Sequence, residues 1–191
     1  MQPGVRVVTD TRAGGLGVDY VATMAAYNAW MNDKLYAAAA RLPADEVMRA
    51  RGAFFGSIFG TLGHLVVADT IWLKRFAADP AHLAALAELE SWPMPTRVDR
   101  PPCNDLAALA TRRRTLDALI LRWTSMLDER ALSRAIPYAN LRGDRFSRPL
   151  LALLMHVFNH QTHHRGQATT LLTQAGEDVG ATDLVAMPPP A

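Results

Sequence analysis

His156-Val157-Phe158-Asn159-His160-Gln161-Thr162-His163-His164-Arg165-Gly166-Gln167 holds four of the six histidines of the chain. It sits inside a stretch whose apolar residues recur at helical spacing from Pro149, favourable at a first helical position, to Ala175, with Gly176 suited to the C′ position. Positions four apart share a helix face, so His156, His160 and His164 form a row and His163 stands to one side. The seam of this helix reads Leu153, Val157, His160, His164, Gln167, Leu171. A neutral imidazole is a nitrogen ligand, and two of them at i, i+4 reach one cation. Spacing leaves His156/His160 and His160/His164 equally open as that pair. Taken alone, the cluster also reads as surface decoration or as hydrogen-bonded core residues.

Three further helices lie upstream. The first is predicted from Leu16 to about Leu42, before Pro43, with the seam Val21, Met24, Asn28, Met31, Leu35. The second covers Ser57 to Ala77, with the stripe Ile58, Leu62, Leu65, Asp69, Trp72, Phe76 and His64 one position beside it. The third runs from an Asn104 N-cap to about Glu129, with Leu109, Leu116 and Trp123 on one heptad stripe and Leu106, Arg113, Ile120 and Leu127 on another. Arg112 and Arg114 read as a solvated face, while Arg113 is a candidate to point inward.

The connections carry their own signals. Residues 78–102 contain Pro80, Pro93, Pro95, Pro101 and Pro102 and form a long crossover, with a short helix near His82–Leu89 and His82 expected in solvent. Ile136, Tyr138, Gly143-Asp144 and Phe146 predict a small hairpin or extended segment before the last helix, and Arg142-Gly143-Asp144 is its turn. The domain plan is a loose leader at 1–15, a helical bundle at 16–176 and a tail at 177–191. Asp183-Leu184-Val185 is the expected packing point of that tail.

Composition excludes several classes. With 191 residues, half of them apolar, the chain can bury a single core. A net charge of +2, from 20 basic and 18 acidic residues, is too small a surplus to argue for nucleic acid or an anionic membrane. Cys103 is the lone cysteine, so no disulfide forms within the chain. No stretch approaches the roughly 18 apolar residues of a membrane span. A cytoplasmic location is the expectation.

Four amphipathic helices predict an all-α four-helix bundle. Its seams are interrupted by Asn28, by Asp69 and by the set His160, His164 and Gln167. An unpaired polar group in a dry core costs about 1–3 kcal/mol, so such residues must satisfy one another or a bound ion. Asp69 reads first as a structural hydrogen-bonding residue. Bundle cores are also where facing helices pool metal ligands, and the accumulation of polar seam residues favours a metal.

Tyr27-Asn28-Ala29-Trp30-Met31-Asn32, Gly63-His64-Leu65-Val66-Val67-Ala68-Asp69-Thr70-Ile71-Trp72, Asn159 through Gln167, and Gly180-Ala181-Thr182-Asp183-Leu184 resemble, in this order, motifs of the DinB/YfiT-like family. The resemblance spans most of the chain, and the fourth-helix segment is its most specific part. It implies a four-helix bundle, commonly a homodimer, with one divalent metal, zinc or nickel, held by His64, His160 and His164. Asn28, Asp69, His156 and Gln167 are then candidates to support the ligands or line the pocket. His163 is expected to pack or hydrogen-bond, Arg165 to form an ion pair, and Gly166 to allow close helix contact.

Relatives in that family include transferases that use low-molecular-weight thiols, so the resemblance implies a metal-dependent thiol S-transferase acting on a small-molecule substrate. Cys103 matches no family ligand and is not expected to be the nucleophile. A metal-dependent hydrolase is the first alternative, with Asp69 as the only carboxylate in a seam to serve as base. A metal-bound stress-response or interaction protein without turnover is the second. The chain leaves the catalytic residues themselves unassigned.

Overall fold

A computed structural model of the chain describes residues 15–189; the expected leader, apart from Gly15, lies outside them. Four long helices make the bundle: α1 (Leu16–Ala39), α3 (Ile58–Ala77), α5 (Leu106–Thr124) and α7 (Leu150–Gln174). Short helices α2 (Ala44–Met48), α4 (Pro80–Leu83) and α6 (Glu129–Ser133) lie between them, and strands β1 (Ala135–Ala139) and β2 (Arg145–Pro149) precede α7. Helix α1 packs on α5 and α7, and α3 packs on the same two, so each long helix has two long neighbours.

Local chemistry explains the breaks. Pro43, which precedes Ala44, stops α1 short of Leu42 and opens α2, an element that helical periodicity does not predict. The N-cap of α5 is Asp105, not Asn104: its carboxylate accepts from the Ala108 amide at 2.8 Å. Helix α5 ends at Thr124 rather than Glu129, because Asp128 caps α6 instead, accepting from Ala131 N–H at 2.7 Å. Pro149 lies just outside α7, not at its first position, and Gly176 follows its end with φ +90°, as the sequence predicts.

The hairpin is antiparallel, with Ile136 opposite Arg148 and Tyr138 opposite Phe146. Its turn is tied by Asn140, whose side-chain oxygen accepts from Arg142 N–H at 2.9 Å and Asp144 N–H at 3.0 Å. The tail turns back along α1, with Arg41 bonded to Glu177 at 2.6 Å and Tyr27 donating to the Thr182 carbonyl at 2.6 Å. Its buried residue is Val179, whereas Leu184 and Val185 stay exposed, so the expected packing point is displaced toward the helix end.

Polar seam residues meet in the core. Arg113 of α5 donates to Asp69 of α3 at 2.5 Å and through Nε to Asp117 at 3.0 Å. Asn28 and Asn32 of α1 donate to Asp117 at 3.2 and 2.9 Å. Arg165 of α7 donates to the Asn28 side-chain oxygen and lies over the Tyr27 ring at 5.3 Å. Every side chain in this set is buried. Burial pushes the Asp117 carboxyl up to about 6 against the attraction of Arg113, so it is ionised at neutral pH. Burial also pushes Arg165 down to about 10, where it stays charged. Two carboxylates and two guanidinium groups thus balance inside the bundle. Arg165 therefore hydrogen-bonds an amide rather than forming the expected ion pair.

His82 is another correction. It is 4% exposed, with its ring edge-on to Trp123 and Nδ1 at 3.4 Å from the indole nitrogen, because the short α4 folds back against α3 and the turn that follows it packs on α5.

Replacing Arg113 by Met leaves Asp69 and Asp117 buried without their cation. Urea denaturation is expected to show a loss of about 3–5 kcal/mol. A loss below about 1 kcal/mol, the size of an exposed pair, would contradict a structural role for the network. His82 gives a pH signature. Burial holds its pKa below the ordinary 6.5, so the folded chain refuses a proton that the unfolded chain accepts. Stability is therefore expected to fall as pH drops below about 6.5, and His82→Phe to make that decline shallower. Identical slopes would show that His82 takes no part.

Candidate metal centre

His64 lies on α3, and His160 and His164 lie one turn apart on α7. The packing of α3 on α7 brings them together. A nitrogen from each ring lies within 4.8 Å of the other two. Among the described residues no carboxylate or thiol joins the group. His156, the other member of the row, has its ring 6.0 Å from that of His160 and is turned edge-on to Trp72 at 5.1 Å. It is exposed, and forms a neighbouring wall. Of the two pairs that spacing left open, His160/His164 is the one that lies beside His64 of α3.

The backbone around His64 explains its orientation. Ser57 caps α3 by accepting from Gly60 N–H at 3.0 Å. Gly63 lets the crossover lie against the helix, since a Cβ there would come within 2.6 Å of the Pro101 ring. The crossover carbonyl of Val98 then accepts from His64 Nδ1–H at 2.8 Å, leaving the Nε2 lone pair directed at His160 Nε2, 3.2 Å away. His164 is held in the same manner, with Nδ1 at 2.8 Å from the Gln167 side-chain oxygen. The Gln167 amide nitrogen reaches His163 Nε2 at 3.2 Å. Gln167 is thus a positioning residue, and His163 anchors it. Carbonyl or amide partners on the far ring nitrogen are the usual support of a ligating imidazole.

Burial lowers the pKa of all three histidines. For His160 burial, followed by neighbouring His164 and His64, brings it to about 3. The rings are therefore neutral, the state that ligates a cation. Imidazole nitrogens sharing a tetrahedral zinc at 2.0–2.1 Å stand about 3.3 Å apart. The 3.2 Å between His64 and His160 fits that spacing.

Phe55 closes one side. Its ring stacks on His64 at 3.9 Å and meets His164 edge-on at 5.4 Å. It is presented by a tight loop in which Gly52 and Gly56 both have positive φ and Gly56 N–H bonds the Ala53 carbonyl at 2.8 Å. Neither Phe55 nor Val98 is among the residues that sequence patterning singles out. Two phenylalanines between glycines are a visible turn signal, but a backbone carbonyl leaves no mark in a sequence. The candidates Asn28 and Asp69 belong to the buried network instead, so Asp69 is bonded to Arg113 and not to the triad. Gly166 faces open space, with nothing within 4 Å of where a Cβ would stand, in place of the expected close helix contact. Cys103 is half-buried, and burial pushes its thiol pKa up.

The family model described as DinB family matches residues 15–191. The chain belongs to the DinB family. It is 26% identical over 166 residues to Protein DinB of Bacillus subtilis (strain 168), an alignment covering 86% of this chain and 91% of that protein. No solved structure matches it significantly. Membership and the three neighbouring histidines fit a metal-binding DinB-like protein. No helix among the described residues is long and apolar enough to cross a membrane.

Gly63→Ala is expected to push Pro101 off α3 and release His64 from Val98. Nitrogen NMR of the imidazoles would then show His64 exchanging between tautomers, where the parent protein shows Nδ1 protonated. An unchanged His64 spectrum would mean that the crossover does not set its orientation.

Proposed function

We propose that this DinB-family protein binds one divalent metal ion per chain, zinc or nickel, through His64, His160 and His164, and activates a low-molecular-weight thiol for transfer to an electrophilic small molecule. The observation that carries this reading is a set of three neutral imidazole nitrogens with no fourth protein ligand beside them among the described residues. A closed four-ligand set would favour a structural role, while three ligands leave room for an exchangeable one. A bound divalent ion supplies Lewis acidity that keeps a thiol ionised near neutral pH.

The chain's own residues have separate tasks. Val98 and Gln167 orient two of the rings, and Phe55 gives the site an apolar wall. The thiol comes from outside, because burial raises the pKa of Cys103 and the chain has no other cysteine. Hydrolysis is the weaker reading, since it needs a free base and Asp69 is held by Arg113. The homodimer implied by the family resemblance forms part of the same proposal.

Elemental analysis of the protein purified without a histidine tag tests the proposal, beside a His160→Ala/His164→Ala variant. The expected result is about one divalent ion per chain in the parent and none in the variant, followed by turnover of an electrophile only when thiol is added. Metal that does not depend on the two histidines would remove the site. Bound metal without thiol-dependent turnover would remove the transferase reading and leave the hydrolytic and non-catalytic ones.

A further inference from the structure

We propose that the cavity between α3 and the hairpin is a binding site for a small carboxylate-bearing molecule with an apolar body, anchored by Arg75. The cavity has a volume of about 520 Å³. That lies within the range of small-molecule sites. Ile71, Met94, Pro137 and Leu141 give it apolar walls.

Arg75 is the cation left to bind a ligand there. Its guanidinium lies 4.7 Å from the Trp72 ring and 5.7 Å from that of Tyr138, which hold it in place without using its donors. Among the described residues it has no carboxylate partner and makes no side-chain hydrogen bond. The other lysine or arginine in the lining, Lys74, already donates to the carbonyls of Leu89 at 2.7 Å and Trp92 at 2.6 Å. No acidic side chain among the described residues lines the cavity. Asp144, next to the lining residue Gly143, is turned to the Asn140 amide at 2.8 Å. Charge, open donors and a rigid aromatic support therefore converge on an anion.

The walls choose among anions. A guanidinium fork matches a carboxylate, and aliphatic walls favour an attached hydrocarbon or ring over a free, heavily hydrated phosphate. The Tyr138 hydroxyl, at the same wall, makes no hydrogen bond among the described residues and can serve as a second donor. Arg75 follows His64 by eleven residues, about three turns further along one face of α3. Trp72 also meets His156 edge-on at 5.1 Å, so the cavity adjoins the wall beside the triad, while its anchor is Arg75 and none of the three histidines lines it. Its test needs no metal.

Proton–nitrogen NMR of the full metal-free chain, titrated with 3-phenylpropionate, provides the test. The expected outcome is a saturable shift of the Arg75 side chain, the Trp72 indole and the Ala139 amide. The neutral 3-phenylpropionamide and inorganic phosphate are expected to leave them in place. Arg75→Gln is expected to weaken binding at least about tenfold, in line with losing a charged hydrogen bond. Met94→Trp, which fills the cavity from a loop, is expected to block binding with Arg75 intact, and circular dichroism checks that each variant folds. Equal shifts with the amide or with phosphate, unchanged affinity in the two folded variants, or no shift with the carboxylate would overturn the proposal.

Discussion

Arg113 is the constraint on which the bundle depends. Its guanidinium is buried between Asp69 of α3 and Asp117 of its own helix, and Asp117 in turn collects Asn28 and Asn32 of α1. Asn28 receives Arg165 of α7. Four helices are thereby joined through one set of charged and amide groups. Apolar contacts can slide by a turn at modest cost, but a displaced ion in this core loses its partner, and the penalty is several kcal/mol. The network therefore selects one register of the helices among those the leucine stripes would allow.

That register places the histidines. Arg165 is the residue after His164, and Asp69 lies little more than a turn along α3 from His64. Fixing Arg165 and Asp69 in the core fixes where α7 and α3 present their imidazoles, on a neighbouring face. The crossover completes the arrangement from outside the bundle, as Pro101 rests against Gly63 and Val98 receives His64. The long proline-rich connection is thus a positioning element.

Charge is handled differently in the two clusters. The network keeps its ions because opposite charges are in contact. The triad is held neutral by burial, with the His164 ring edge-on to those of His64 and His160 and the His64 ring stacked on Phe55. Neutral imidazoles packed this closely share the lone-pair directions that a cation would take up, while the far nitrogens of His64 and His164 are tied to a carbonyl and an amide. Preorganisation of this sort reduces the rearrangement required on binding.

Heptad stripes, proline and glycine breaks and the Gly143-Asp144 turn are enough to give the four long helices, the crossover and the hairpin, because periodicity and turn chemistry are local properties. The interruptions Asn28, Asp69 and Arg113 are legible as polar seam residues, and the motif likeness points to His64, His160 and His164. Which residues face one another is not local information. Asn28 and Asp69 go to a charge network, and His82 goes under Trp123. Phe55 and the Val98 carbonyl reach the triad only because the loops carrying them fold across α3. The sequence by itself determined the four long helices and the residue types on each face; the partners that polar groups find on other helices were decided only by the tertiary structure, since hydrogen bonds and ion pairs act over a few ångströms between segments far apart in the chain.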